Sequence, residues 1–126
     1  KEWYDKVKEL IPENVELLYV PQNHEPSKEY DDGTLSDFED YIKAPIRFWK
    51  PDWKKFDLIF IDGRARVECA KLSSCYYINK DGIIIIHDYN HPDPKWKRFE
   101  YDAVLEFLEP IGQVFTMGAF KVKKHG

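Results

Sequence analysis

Strands that alternate with helices along the chain predict an α/β fold. The expected form is a three-layer sandwich, with a mainly parallel sheet, helices on both of its faces and a closing antiparallel hairpin at its C-terminal edge. Three observations predict it. Phe56 to Ile61 is almost wholly apolar, and Ile83 to Ile86 is four β-branched residues in a row. Both patterns suit strands buried on both faces. Residues Arg64 to Tyr77, between them, read as a helix, the connection that parallel neighbours need. Val114 to Met117 and Ala119 to Lys123 read as two strands around Gly118.

The remaining elements follow in chain order. Trp3, Val7, Leu10 and Ile11 recur at helical spacing until Pro12 stops the pattern. Val15 to Val20 reads as a short strand ended by Pro21. Residues 21–33 are polar and rich in turn formers, hence a loop. Thr34 reads as an N-cap with Asp37 three residues on, opening a helix whose apolar stripe is Leu35, Phe38, Tyr41 and Ile42. Ala44-Pro45 ends that helix. Residues 46–55 form an irregular connector in which Trp49 and Trp53 are candidates for ligand stacking. Asp62-Gly63 stops the first buried strand, Asp81-Gly82 reads as a turn, and His87-Asp88 stops the second buried strand. A polar loop leads to a helix around Phe99 to Leu108, ended by Pro110.

The chain has 126 residues, of which 43% are hydrophobic and 33% charged, as expected of one globular domain. The net charge of −4 argues against a general nucleic-acid binder, whose surface would be basic. No apolar run approaches the roughly 20 residues of a membrane span. Cys69 and Cys75 are six residues apart in one expected helix, on different faces, so they read as reduced thiols of a cytoplasmic protein. The chain opens on Lys1 with no methionine, which suggests a part of a longer protein.

In open α/β sheets ligands bind beyond the carboxyl ends of the strands. That rule selects two loops. The first is Asp62-Gly63-Arg64-Ala65-Arg66. Gly63 would let the backbone turn sharply and a ligand come close. Arg64 and Arg66 offer forked donors for a carboxylate or phosphate. The plain alternative is that Asp62 caps the helix and the arginines pair with surface acids. The second loop is His87-Asp88-Tyr89-Asn90-His91. His87 is suited to general base work, and Asp88 could share a divalent cation with Asp62. Here the alternative is a hydrogen-bonded core histidine and a turn-forming aspartate. His91, next to Pro92, reads as solvated. Tyr30-Asp31-Asp32-Gly33 lacks the other ligands of a calcium loop, and Lys121, Lys123 and Lys124 read as the exposed side of an edge strand. The chain contains no P-loop, no GxGxxG and no nucleophile elbow.

The stretches Phe56-Asp57-Leu58-Ile59-Phe60-Ile61-Asp62-Gly63-Arg64-Ala65-Arg66-Val67 and Lys80-Asp81-Gly82-Ile83-Ile84-Ile85-Ile86-His87-Asp88-Tyr89 resemble class I S-adenosylmethionine-dependent methyltransferases. They look most like small methyltransferase-like proteins with an FDLIFIDGRAR…HDY pattern. They are more distantly similar to sugar, macrolide and glucuronoxylan O-methyltransferases. The likeness covers residues 54–124, and Asp32 to Ile42 more loosely. It implies a Rossmann-like three-layer sandwich in which Val15–Val20, Phe56–Ile61 and Ile83–Ile86 are the third, fourth and fifth strands. The first two, with the glycine-rich cofactor loop, would precede Lys1, making residues 1–126 the C-terminal part of one such domain. The resemblance further implies S-adenosylmethionine as cofactor, with Asp62, Gly63 and Tyr41 toward it, and Asp62, His87 and Asp88 as the catalytic set. Arg64, Arg66 and Tyr89 would hold the substrate, a glycan or small polar hydroxyl compound. In metal-dependent relatives acids at the positions of Asp62 and Asp88 hold magnesium. Two other readings stay open: a non-catalytic interaction module on the same fold, and a metal-dependent hydrolase using Asp62, His87 and Asp88.

Overall fold

The computed structural model describes residues 2–21, 38–47, 55–63, 65–89 and 99–124. Its centre is one four-stranded sheet in the order β1-β2-β4-β3. Strand β1 spans Phe56–Ile61, β2 Ile78–Ile86, β3 Leu108–Val114 and β4 Met117–Val122. Helices α1 (Glu2–Lys8), α2 (Glu39–Ile42) and α3 (Ala44–Arg47) precede the sheet. Helix α4 (Arg66–Leu72) runs into a π-helical turn, Ser73–Tyr77, and connects β1 to β2. A 3-10 helix, Phe99–Glu106, leads into β3.

The sheet corrects the expected fold class. Only β1 and β2 pair in parallel, while β2 with β4 and β3 with β4 are antiparallel. A mixed sheet with few helices stands where a mainly parallel three-layer Rossmann-like sandwich was expected. Two physical reasons are visible. First, Val15–Val20 forms no strand. Its apolar side chains pack by contact instead: Tyr19 meets Tyr4 with ring centroids 5.7 Å apart, and Leu17 to Val20 line a groove beside β1. Second, the hairpin is longer than its apolar signal. β3 begins at Leu108 and runs through Pro110, with a register shift between Pro110 and Gly112. Proline lacks the N–H of a ladder bond, so it is tolerated on an edge strand or at a bulge, and β3 supplies both. The turn falls at Phe115-Thr116, not at Gly118. Because β3 is the edge, exposed Lys121 lies on an inner strand.

The two apolar runs are strands, as expected, but neither is buried evenly. On β2, Ile84 and Ile86 are buried while Ile83 and Ile85 are half-buried. On β1, Phe56, Leu58 and Phe60 are 40%, 59% and 52% exposed, and only Ile61 is fully buried. An apolar run reports a strand's composition but not how many of its faces are covered. Asp81-Gly82 is also not a turn between elements. β2 continues through it, with a shift from the pair Phe56↔Ile78 to the pair Leu58↔Ile83. The extra residues form a tight bulge, in which a Cβ on Gly82 would lie 2.6 Å from an Ile78 side-chain carbon and 3.0 Å from the Asp57 carbonyl oxygen.

The main core joins Ile61, Ala70, Ile78, Ile84, Ile86, Val104, Leu108 and Phe120. Each large side chain buried there stabilises the fold by roughly 1.5–3 kcal/mol. A smaller cluster, Phe38, Ile42 and Ala65, seats α2 against the start of α4. The expected helix from Thr34 is described only from Phe38 onward. Its start, the Tyr30–Gly33 loop, Trp49, Trp53, Arg64 and His91 lie outside the described residues.

Candidate functional site

Strand pairing delivers the two sequence-selected loops to one place. β1 and β2 run parallel with Ile61 opposite Ile86, and the His87 amide donates to the Ile61 carbonyl at 3.0 Å. The strands therefore end level, and Asp62 and His87 emerge side by side. His87 Nδ1 lies 3.1 Å from Asp62 Oδ1 and 3.3 Å from Asp88 Oδ2. Neither oxygen is aligned with the ring nitrogen as a hydrogen bond requires, and Nδ1 is buried without a hydrogen-bond partner among the described residues. The contact is thus electrostatic proximity, which small rotations of either carboxylate would convert into a hydrogen bond. Phe60 flanks the imidazole at 6.3 Å between ring centroids.

Asp88 is held from the opposite side. Its Oδ1 accepts a hydrogen bond from Thr116 Oγ1 at 3.0 Å, tying the β3–β4 turn to the site. Its backbone is left-handed, φ 56°. Non-glycine residues reach that region at a cost, and such outliers gather at functional sites. Ala65 is also left-handed, φ 50° and ψ 47°, at the start of α4. The sharp turn anticipated at Gly63 therefore falls two residues later. Gly63 serves close approach instead, since a Cβ there would collide with the Tyr41 phenol oxygen.

Arg66 was expected to face a substrate. Its side chain is 15% exposed and engages the protein: Nε donates to the Gly63 carbonyl at 2.9 Å and Nη1 to the His87 carbonyl at 2.7 Å. Nη2 stands 3.5 Å from Asp62 Oδ1, and the guanidinium lies over the Tyr101 ring at 5.7 Å. Tyr89, the other expected substrate residue that is described, donates its hydroxyl to Asp102 Oδ1 at 3.2 Å and meets Phe120 edge-on at 4.9 Å. Burial, then the Asp102 charge and the hydrogen bond to it, push the Tyr89 phenol up to about 12.

Sequence reasoning selected Asp62, His87 and Asp88, and the structure brings them together. It missed Thr116, which holds Asp88 from the hairpin, and Tyr101 and Asp102 of the 3-10 helix, which contact the neighbouring Arg66 and Tyr89. No local motif marks them, because their roles arise from long-range packing. Among the described residues no group of three or more His, Cys, Asp or Glu is arranged to hold a metal ion.

A cavity of about 700 Å³ lies beside this cluster without being centred on it. It runs along the outer side of β1, between Phe56–Ile61 and the segment Leu17–Val20, with Trp3, Tyr4 and Tyr77 in its walls. Among the described residues, the cavity wall carries no Asp, Glu, His, Lys or Arg, whereas the cluster holds three titratable side chains. The two meet at one end, where Tyr41 and Ile61 line the cavity next to Asp62-Gly63.

No known protein-family model matches the chain, and no curated protein matches it. Among the described residues no helix is long and apolar enough to cross a membrane.

Proposed function

We propose that the Asp62–His87–Asp88 cluster is the base site of a methyltransferase that acts on a hydroxyl group of a glycan or small polar compound, with S-adenosylmethionine as donor. One observation carries the reading: three titratable side chains from two loops converge at the carboxyl ends of a parallel strand pair, with His87 Nδ1 between two carboxylate oxygens. That arrangement sets two carboxylates beside the ring, whose charge would stabilise the imidazolium formed when Nε2, on the far side of the ring, takes a proton from the acceptor hydroxyl. The left-handed Asp88, secured by Thr116, supports the same reading, because strain of this kind persists where the surroundings hold a side chain in place.

The described residues offer the donor two contacts, although the chain carries no glycine-rich loop of the kind the resemblance implies. The Asp62 carboxylate is 45% exposed and suits an ammonium group. Tyr41, at the junction of the cavity with Gly63, supplies an aromatic edge for a flat base, and the cavity size lies within the range of cofactor pockets. When bound, the donor supplies an electrophilic methyl group. The chain's own work is to hold the acceptor oxygen in line, orient His87 through Asp62 and Asp88, and accept the proton at Nε2.

The test is calorimetric titration of S-adenosylhomocysteine into the wild-type chain and into Asp62→Asn. Saturable binding that weakens at least about tenfold on losing one charged hydrogen bond supports the reading. Absence of binding to the wild type, or equal binding to both proteins, overturns it.

A further inference from the structure

The residue that best explains how the two loops keep their relative position is Arg66. Its fork spans them. Nε binds the Gly63 carbonyl in the loop after β1, and Nη1 binds the His87 carbonyl in the loop after β2, at 2.9 and 2.7 Å. The third nitrogen stands 3.5 Å from the same Asp62 oxygen that faces His87 Nδ1. The guanidinium carbon lies 5.7 Å from the centre of the Tyr101 ring, and Tyr101, 2% exposed, gives a firm backing. Two carbonyl oxygens that approach the same space repel each other, and a planar cation with donors at fixed angles neutralises both and sets the gap between them. The left-handed backbone of Ala65 sits immediately before Arg66, at the turn that returns the chain toward the sheet end. That backbone is unfavourable for alanine, and the Arg66 hydrogen bonds act in the opposite direction.

We infer that Arg66 is a positioning residue: it locks the Asp62 loop to the His87 loop, so that Asp62 Oδ1 faces His87 Nδ1, and it does not bind the substrate. This rests on the reading of Asp62, His87 and Asp88 as a base site. The lock itself is read from geometry that stands whether or not the reaction is methyl transfer. Lysine cannot replace Arg66, because one ammonium on a flexible stem lacks the two fixed, divergent donors.

The experiment uses the full chain with Arg66→Lys, Arg66→Gln and Arg66→Ala. Amide hydrogen exchange is followed residue by residue, and methyl transfer is measured where the wild type supports it. The expected result is faster exchange in both loops, 62–63 and 87–89, with the β3–β4 hairpin unchanged. For transfer, kcat falls at least about tenfold while KM for the acceptor stays within about twofold, the signature of misplacement. Guanidinium ion added to Arg66→Ala restores slow exchange in both loops, and with it the rate. A raised KM with kcat retained would make Arg66 a substrate ligand and overturn the inference. So would exchange that rises equally across the whole sheet, or loops that do not respond. If Arg66→Ala does not fold, Arg66→Lys decides by the same exchange pattern. If the wild type transfers no methyl group, the base-site reading fails, while exchange and guanidinium rescue still decide the lock.

Discussion

Gly63→Ala gives a sharp test of the site's construction, because its steric cost falls on one side chain, Tyr41. Gly63 does not adopt a left-handed φ, so alanine brings no backbone strain there. The new methyl group would collide with the Tyr41 phenol oxygen and lie 3.2 Å from the Tyr41 Cζ. Tyr41 is 37% exposed and can swing outward, at the cost of its edge contact with Phe38, where the ring centroids are 6.3 Å apart at 71°. Losing an aromatic pair costs about 0.5–1.5 kcal/mol, and displacement of the ring adds a little more, for a total of about 1–2 kcal/mol. In a domain of this size that lowers Tm by about 4–8 °C. A double-mutant cycle isolates the contact. With Tyr41→Ala already made, Gly63→Ala should cost almost nothing, giving a coupling of about 1–2 kcal/mol by thermal and urea unfolding. Equal costs in the two backgrounds would refute the account of Gly63 as a close-approach position.

Two further predictions concern stability. Tyr89 holds its proton up to about pH 12 in the folded chain, whereas the unfolded chain loses it near the ordinary value of 10.0. Its contribution is therefore complete below pH 10 and declines as the pH rises from 10 toward 12, since the unfolded state releases its proton first. Denaturant unfolding between pH 9 and 12 should show this decline in the wild type and less of it in Tyr89→Phe; parallel curves would contradict it. Leu58→Lys, at a position 59% exposed on an edge strand, should change unfolding free energy by no more than about 0.5 kcal/mol. It should also reduce light scattering in concentrated solution, because a charge on an apolar edge opposes association. A large loss of stability would mean that Leu58 is covered in solution.

The convergence of Asp62, His87 and Asp88 was more legible in the sequence than the fold. Asp62 and His87-Asp88 could be singled out because each directly follows an apolar run, and polar residues placed there must emerge where a strand ends. Those runs are strands β1 and β2, paired in parallel through α4. The wider architecture depended on what sequence patterns do not encode. Val15–Val20 has a strand's composition but finds no ladder partner, and Leu58 looks as buried as Ile84 until the covering layers are known. Pro110 reads as a helix stop, yet an edge strand with a shifted register accommodates it. Asp81-Gly82 has turn chemistry, which the chain uses as a bulge. Arg66 offered the right chemistry in the wrong direction: a forked donor suits carbonyls of its own chain as well as a ligand's carboxylate, and only the fold distinguishes them.

We propose His87, set between Asp62 and Asp88, as the base for methyl transfer to a hydroxyl group. The most direct test measures transfer of a labelled methyl group from S-adenosylmethionine to a panel of glycans and small polyols, with the wild type and His87→Ala compared at equal protein. The account predicts transfer to at least one hydroxyl acceptor by the wild type, and a rate about 10²–10⁴-fold lower in His87→Ala with the fold intact. Transfer that persists at full rate without His87, or no transfer by the wild type to any acceptor, would contradict it.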